Sequence, residues 1–297
     1  MALLAILKTE AEVERLRIRQ VDFWKLPTSD LRLPVSDLYY RGVKTLDTTS
    51  YDKLALFYDL LMQGIDYEAW VSYVEELIGH FQGSAQSVAD LACGTGNSTI
   101  PWSKRGYSTI GIDLSAEMLE IARRKSAVQG YAIEFKQGDL RSFELADQVD
   151  LAVCFQDGFN YILDSKDLAA AFQSVFNNLH QEGFFIFDLN YLPRLMPEKD
   201  EIYTAEEEEY ALTWRTRYME KEQLWEIKIT GKIKGEGEDE HFSETHREKI
   251  YESEDVWLLL TELGFTVLGT YQAFTFSPPH EGTPRVVYVA QKSIPEK

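Results

Sequence analysis

Cysteine is nearly absent from this chain: 297 residues hold two, Cys93 and Cys154. Two thiols build neither a disulfide framework nor a zinc cluster, and no metal site is expected. Both sit in apolar, strand-like runs, where a free cysteine usually packs as a small buried hydrophobe. Long hydrophobic runs are also missing. The opening MALLAILK carries an apolar run of six before Lys8, too short and without the basic start of a signal peptide. No stretch approaches the roughly 18 apolar residues of a membrane span. These absences lead to the expectation of a soluble, cytoplasmic protein with no membrane partner. Basic residues are scarce as well, 30 against 49 acidic, for a net charge of −19. A protein that binds chiefly through phosphates needs a basic face, so no nucleic-acid partner is expected. There is no internal repeat, and nothing in the sequence assigns an oligomeric state.

What is present is a globular composition: 44% hydrophobic, with 16 Tyr, 16 Phe and 6 Trp. Residues 1–50 read as an N-terminal extension, with a short helix over 10–24 and Pro27 and Pro34 punctuating a loop. Helical spacing follows in YDKLALFYDLLMQ, up to Gly64, and in YEAWVSYVEELIGHF. From Ser87 short apolar runs alternate with amphipathic stretches. SVADLAC, YSTIGIDL, AIEFKQGD, VDLAVCF and GFFIFDLN read as strands, with helices between them. That β-α-β rhythm predicts a parallel sheet with helices on both faces. Residues 198–255 break the rhythm with three partly alternating runs and hold 19 acidic and 9 basic residues. They read as an antiparallel insertion, and the glutamates at 206–209 as a solvated segment. SEDVWLLLTELG resumes as a helix, with Ser253 expected as N-cap and Gly264 as C-cap. Two closing strands follow. The fold class is therefore α/β: a Rossmann-like, seven-stranded, mostly parallel sheet with an antiparallel β insertion after the fifth strand. The expected parts are 1–50, a main domain of 51–197 with 251–297, and a cap of 198–250.

The informative loop is VADLACGTGN, residues 88–97. A strand runs into Gly94-Thr95-Gly96 and a helix begins near Asn97. Glycines there let a ligand approach the backbone, and a helix N-terminus offers free N–H groups. A dinucleotide fingerprint would place a third glycine where Thr99 stands. Asp90 precedes the loop, Asp113 ends the second strand and Asp139 ends the third. A carboxylate after the second strand can accept both hydroxyl hydrogens of a ribose in either reading.

In VADLACGTGNST, GIDLSAEMLEIAR, FKQGDLRSF and VDLAVCFQDGFNYI the chain resembles the class I S-adenosylmethionine-dependent methyltransferases, most of all bacterial small-molecule enzymes. The resemblance covers about residues 51–190 and implies S-adenosyl-L-methionine as cofactor. It implies that Gly94 and Gly96 cradle the methionine end, lined by the backbone of Ala92 and Cys93. Asp90 and Gln156 would lie near the amino group. Asp113 would hold the ribose, with Leu114 beside the adenine. Asp139 would receive the adenine amino group, and the Leu140 N–H would meet a ring nitrogen. Tyr51 and Tyr58 would close over the methionine end.

The implied activity is methyl transfer by in-line displacement to N or O of a small-molecule acceptor. Acceptor-side candidates are Asp157, Asn160 and Tyr161 after the fourth strand, Asn190 and Tyr191 after the fifth, and His246 and Arg247 in the insertion. His246, with an unperturbed pKa near 6.5, is the candidate base if one is needed, and Asn160 and Tyr161 join it as catalytic candidates. Arg247 could clamp a substrate anion or form a surface salt bridge. The fourth-strand segment FQDGFNY lacks the Pro-Pro-aromatic motif of nucleic-acid amino-methyltransferases. A non-catalytic cofactor-binding protein and an NAD-dependent Rossmann enzyme remain the alternatives. The acidic insertion would favour cationic or neutral acceptors over anions.

Overall fold

A computed structural model describes residues 55–62, 64–195, 201–206, 210–234 and 239–293. The expected helix at 10–24, the remainder of residues 1–50, Tyr51 and the glutamates at 207–209 lie outside these residues. Two sheets organise the chain. The larger has seven strands, in the order β10-β11-β5-β4-β1-β2-β3. These are β1 Ser87–Leu91, β2 Ser108–Asp113, β3 Glu134–Gln137, β4 Val149–Cys154, β5 Leu179–Asn190, β10 Phe265–Gln272 and β11 Arg285–Lys292. Strands β1 to β5 pair in parallel, and β11 runs antiparallel to both β5 and β10.

The apolar runs are continuous because both faces of this sheet are covered. On one face Leu151, Val153, Phe184 and Ile186 pack with Trp70, Val71, Val74 and Leu77 of α2 (Tyr67–His80) and with Trp102 of α3 (Thr99–Lys104). On the other, Ala152, Cys154, Phe185 and Phe187 meet Leu168, Phe172 and Val175 of α5 (Ser165–Asn178) and Val256 and Leu260 of α6 (Ser253–Glu262). Successive residues of one strand thus serve opposite cores. Phe159, Phe172, Phe185 and Phe187 form an aromatic knot with ring centroids 4.5–5.6 Å apart. The remaining helices are α1 (Ala55–Leu61) and α4 (Ala116–Val128).

The chain leaves β1 toward β2 and β3, then returns to place β4 on the other side of β1. That reversal opens a crevice at the carboxyl ends of β1 and β4, where open α/β sheets bind ligands.

The second sheet is an antiparallel meander: β6 Glu201–Glu206, β7 Tyr210–Met219, β8 Leu224–Ile233 and β9 Glu240–Lys249. It has four strands where the sequence showed three runs, because β6 lies in the acidic stretch. Its inner face carries Leu212, Trp214, Trp225, Ile227, Ile229 and Phe242, with Leu61 of α1 packed against them. The chain leaves for this sheet and returns from it beside an ion pair, Arg194 before it with Glu252 after it at 2.7 Å.

The helix after the insertion corrects two expectations. Glu252, not Ser253, occupies the N-cap of α6. The Ser253 hydroxyl is bonded instead to Tyr191 and Tyr288, at 3.2 and 2.7 Å. At the other end Leu263, not Gly264, is the C-cap; Gly264 follows it at φ +95°, the left-handed position that favours glycine. No helix among the described residues is long and apolar enough to cross a membrane.

Candidate active site

The glycine loop is a left-handed turn at three points: Ala92, Gly94 and Gly96 have φ of 51°, 54° and 78°. A Cβ on Gly96 would lie 3.1 Å from Ala122 and 3.2 Å from the Phe135 ring, so α4 packs directly on this backbone. One on Gly94 would meet the Tyr58 ring at 3.5 Å, so α1 brings Tyr58 against the loop.

Asp90 explains why the third glycine is missing. Its Oδ2 accepts hydrogen bonds from Ser98 Oγ at 2.7 Å and Thr99 Oγ1 at 2.6 Å. A glycine at position 99 would remove one of these donors. Asp90 Oδ1 is buried without a partner, and burial pushes the carboxyl up to about 6. Asp113 closes the loop from β2. It accepts from the Gly94 N–H at 2.8 Å and the Ser115 N–H at 2.9 Å, and burial raises its pKa despite these bonds. Each of its oxygens keeps a second lone pair for a ligand. Leu114 beside it is exposed.

Asp139 lies past the end of β3 but is not free. Arg141 holds both of its oxygens, which keeps the carboxyl below the usual carboxylate range. Both thiols are buried and pushed well above their ordinary range, so neither is a nucleophile.

The loop after β4 is strained. Gln156 and Asp157 are consecutive left-handed residues, at φ 59° and 64°. Asp188 of β5 holds the turn by accepting from both N–H groups, at 2.8 and 3.2 Å. Arg285 of β11 bridges Asp157 and Asp188. Left-handed backbone costs about 1–2 kcal/mol per residue, and strain of this kind gathers at functional sites. The amide O and N of Gln156 are both buried without a partner.

Acceptor-side candidates divide. Tyr161 and His246 are brought together, Oη 3.5 Å from Nδ1. His246 is fully buried on the inner face of β9, with Nε2 3.3 Å from Glu244. Asn160 is buried and bonded on both sides of its amide. Its amide donates to Lys249 O at 2.7 Å and accepts from the Asn190 N–H at 3.0 Å, tying the loop to β9 and β5. Tyr191 is bonded to Tyr288 at 2.7 Å. Arg247 lies on the outer face of β9, paired with Glu226 at 2.9 Å, so the surface salt bridge is the reading the structure supports. Trp70 is core, stacked on Phe155 at 5.0 Å.

Several site residues escaped the sequence reading. Asp59 on α1 binds Thr95 at 2.5 Å, Asn97 at 2.9 Å and Lys125 at 2.7 Å, clasping helix, loop and α4 together. Asp188, Arg285 and Glu248 are buried ionisable residues within strand-like runs, and that mismatch was the only signal available.

A family model described as "Methyltransferase domain" matches residues 88–183. The chain is 32% identical over 246 residues to a Geobacillus sp. (strain WCH70) protein named as a methyltransferase, covering 82% of this chain and all of that one. This chain belongs to the class I S-adenosylmethionine-dependent methyltransferases. A solved S-adenosylmethionine-dependent methyltransferase from Clostridium acetobutylicum ATCC 824 matches with 28% identity and TM-score 0.72, over 83% of this chain and all of that one. The sugar N-methyltransferase KedS8 from Streptoalloteichus sp ATCC 53650 shares the fold at 20% identity and TM-score 0.69, over 86% of this chain and 99% of its own. The methyltransferase assignment closes the NAD alternative, and S-adenosylmethionine is the cofactor. The residues at the crevice fit it. A cation-bearing ligand matches the unpartnered Asp90 oxygen, and the left-handed glycine backbone leaves room for close approach.

Proposed function

We propose that this methyltransferase transfers the methyl group to N or O of a small-molecule acceptor held between the crevice and the second sheet. Gly94 and Gly96, with the backbone of Ala92 and Cys93, hold the methionine end of the cofactor. Asp90 and Gln156 hold its amino group, Asp113 its ribose, and Leu114 lies beside the adenine. Asp139 is assigned to the adenine amino group, in exchange for part of its bonding to Arg141, and the Leu140 N–H to a ring nitrogen. Tyr58 covers the sulfur side, with Tyr51 assigned to the same role by the family resemblance. The single observation that carries the reading is the gathering of Asp90, Asp113 and Gln156 around one left-handed glycine turn, with unpartnered buried polar atoms on two of them.

The cofactor supplies a methyl carbon already activated by a positive sulfur. The protein's work is to align the acceptor at about 3–3.5 Å and keep water out. Tyr161 and His246 are assigned to orient the acceptor, with Asn160 holding their loop in place. The name of the Streptoalloteichus enzyme places its acceptor among sugar amines, which supports a small acceptor here.

Calorimetry with S-adenosylmethionine and S-adenosylhomocysteine tests the reading. Both are expected to bind wild-type protein. Asp113→Ala is expected to weaken both by roughly tenfold or more, the loss of a charge-assisted bond. No binding of either ligand, or an Asp113→Ala protein that binds as wild type does, overturns it.

A further inference from the structure

The inner face of β9 is unusual for a buried surface. Phe242, Glu244, His246 and Glu248 alternate inward and are all buried, while the residues between them face outward. The facing positions on β8 are Ile229, Ile227 and Trp225, paired with Glu244, His246 and Glu248. A strand that only closed a core would be apolar at all of these positions, as β8 is. Polar side chains there are costly to bury and need partners.

Glu248 lacks one. It is fully buried, and Asn190 Nδ2 donates to its Oε2 at 3.1 Å, yet Oε1 has no hydrogen-bond partner. The groups facing it are Asp157 from the loop after β4, Asn190 from β5, Arg285 from β11 and Trp225 from β8, with His246 and Glu244 further along its own strand. Arg285 is already paired with Asp157 and Asp188, one positive charge shared by two carboxyls, so it leaves none over for Glu248. Among the described residues, the groups around Glu248 therefore leave no cation for Oε1.

We propose that Glu248 is the acceptor-recognition residue, its Oε1 binding the ammonium group of a primary or secondary amine and taking a proton from it. This rests on the reading of the site given above and narrows it from N or O to N. An amine enters water-equilibrated as a cation and must lose a proton before its lone pair can be used. One N–H bond breaks, its electron pair stays on nitrogen, and an O–H bond forms at Glu248 Oε1. Burial favours the neutral acid, which draws the proton in this direction. The cycle releases one proton, at binding, when the resting neutral acid ionises; after methyl transfer Glu248 is again that neutral acid. A hydroxyl acceptor brings no charge to satisfy the site, and its proton is held too tightly for a carboxylate to remove.

The full chain, saturated with S-adenosylhomocysteine, is titrated calorimetrically at about pH 7 with n-butylamine against n-butanol and with glucosamine against glucose. Phosphate and Tris buffers, which differ in ionisation enthalpy, report protons released. Wild type is expected to bind an amine about tenfold or more tighter than its matched alcohol, releasing about one proton as the neutral acid gives way to the ion pair. Glu248→Gln is expected to lose both the preference and the proton release. It should keep S-adenosylhomocysteine binding and a melting temperature at or above wild type at about pH 8, because an uncharged amide replaces a group costly to ionise there. Three results overturn the inference: no amine preference in wild type, an unchanged preference in Glu248→Gln, or proton release that survives in Glu248→Gln and vanishes in His246→Asn. A Glu248→Gln protein that melts lower and loses S-adenosylhomocysteine binding makes Glu248 a structural brace and also overturns it. Failure of wild type to bind S-adenosylhomocysteine at all is a separate result. It removes the functional reading first, and this inference with it.

Discussion

Asp90 shows how much a single buried carboxyl can control. Its pKa lies near 6 in the folded chain against an ordinary 3.8, because burial penalises the charged form more than Ser98 and Thr99 relieve it. The folded state thus holds the Asp90 proton more tightly than the unfolded state. Stability from this group is greatest below about pH 4, falls as pH rises toward 6, and is level above that, by on the order of 3 kcal/mol. Asp90→Asn removes the fall. Urea denaturation at about pH 4 and 8 should show wild type losing stability relative to the variant across that interval. Cofactor binding responds in the opposite sense, since a bound amino group favours the carboxylate. Calorimetry should show S-adenosylmethionine affinity weakening as pH drops below about 6 in wild type, and little such dependence in Asp90→Asn. Asp90, Asp113, Gly94, Gly96 and Gln156 were legible in the sequence because a strand–turn–helix fixes where their backbone goes. Glu248 was not. In a polar run such as HFSETHREK, alternation identifies two faces but cannot say which one meets a core.

At the scale of elements, α1 works as a clasp. Its seven residues are too few to be a stable helix alone. It is held by Leu61 against the second sheet and by Asp59 against Thr95, Asn97 and Lys125. Burial lowers the Lys125 pKa while Asp59 supports its charge, so the pair depends on both partners. Asp59→Ala should release the helix. Hydrogen exchange of Ala55–Leu61 is expected to speed up at least severalfold, with cofactor affinity reduced and global stability lowered by no more than about 1 kcal/mol, since the pair is partly exposed. The helix itself was visible as apolar spacing. Its clasp was not, because Asp59 and Lys125 are 66 positions apart and neither breaks a local pattern.

For the whole molecule, the two sheets divide the labour. The seven-stranded sheet has its own two-sided core, while the second sheet departs and returns where Arg194 meets Glu252. Replacing residues 201–249 with a short Gly-Ser linker should therefore leave S-adenosylhomocysteine binding within about tenfold of wild type. It should abolish methylation of any acceptor the intact protein accepts, because the buried face of β9 is gone. Parallel calorimetry and turnover assays distinguish that outcome from simple unfolding, which would remove both. The net charge of −19 reads differently against this division. Residues 198–255 hold 19 acidic and 9 basic residues, yet strands β6 to β9 hold six of each, so the excess lies in the segments that connect and flank them.

The sequence by itself determined the layered α/β core, the glycine turn and the order of acidic residues around it. Those features are local: side-chain periodicity and backbone freedom encode them within a few residues. Only the tertiary structure decided that Thr99 serves Asp90 and that Arg285 bridges Asp157 and Asp188. The same holds for Asn160, tied to Lys249 and Asn190, and for Glu248, buried beside Asn190 with one oxygen unpartnered. These are contacts between distant segments, 97 positions apart for Arg285 and Asp188. Desolvation, which sets the chemistry of every one of these groups, exists only after the segments have packed.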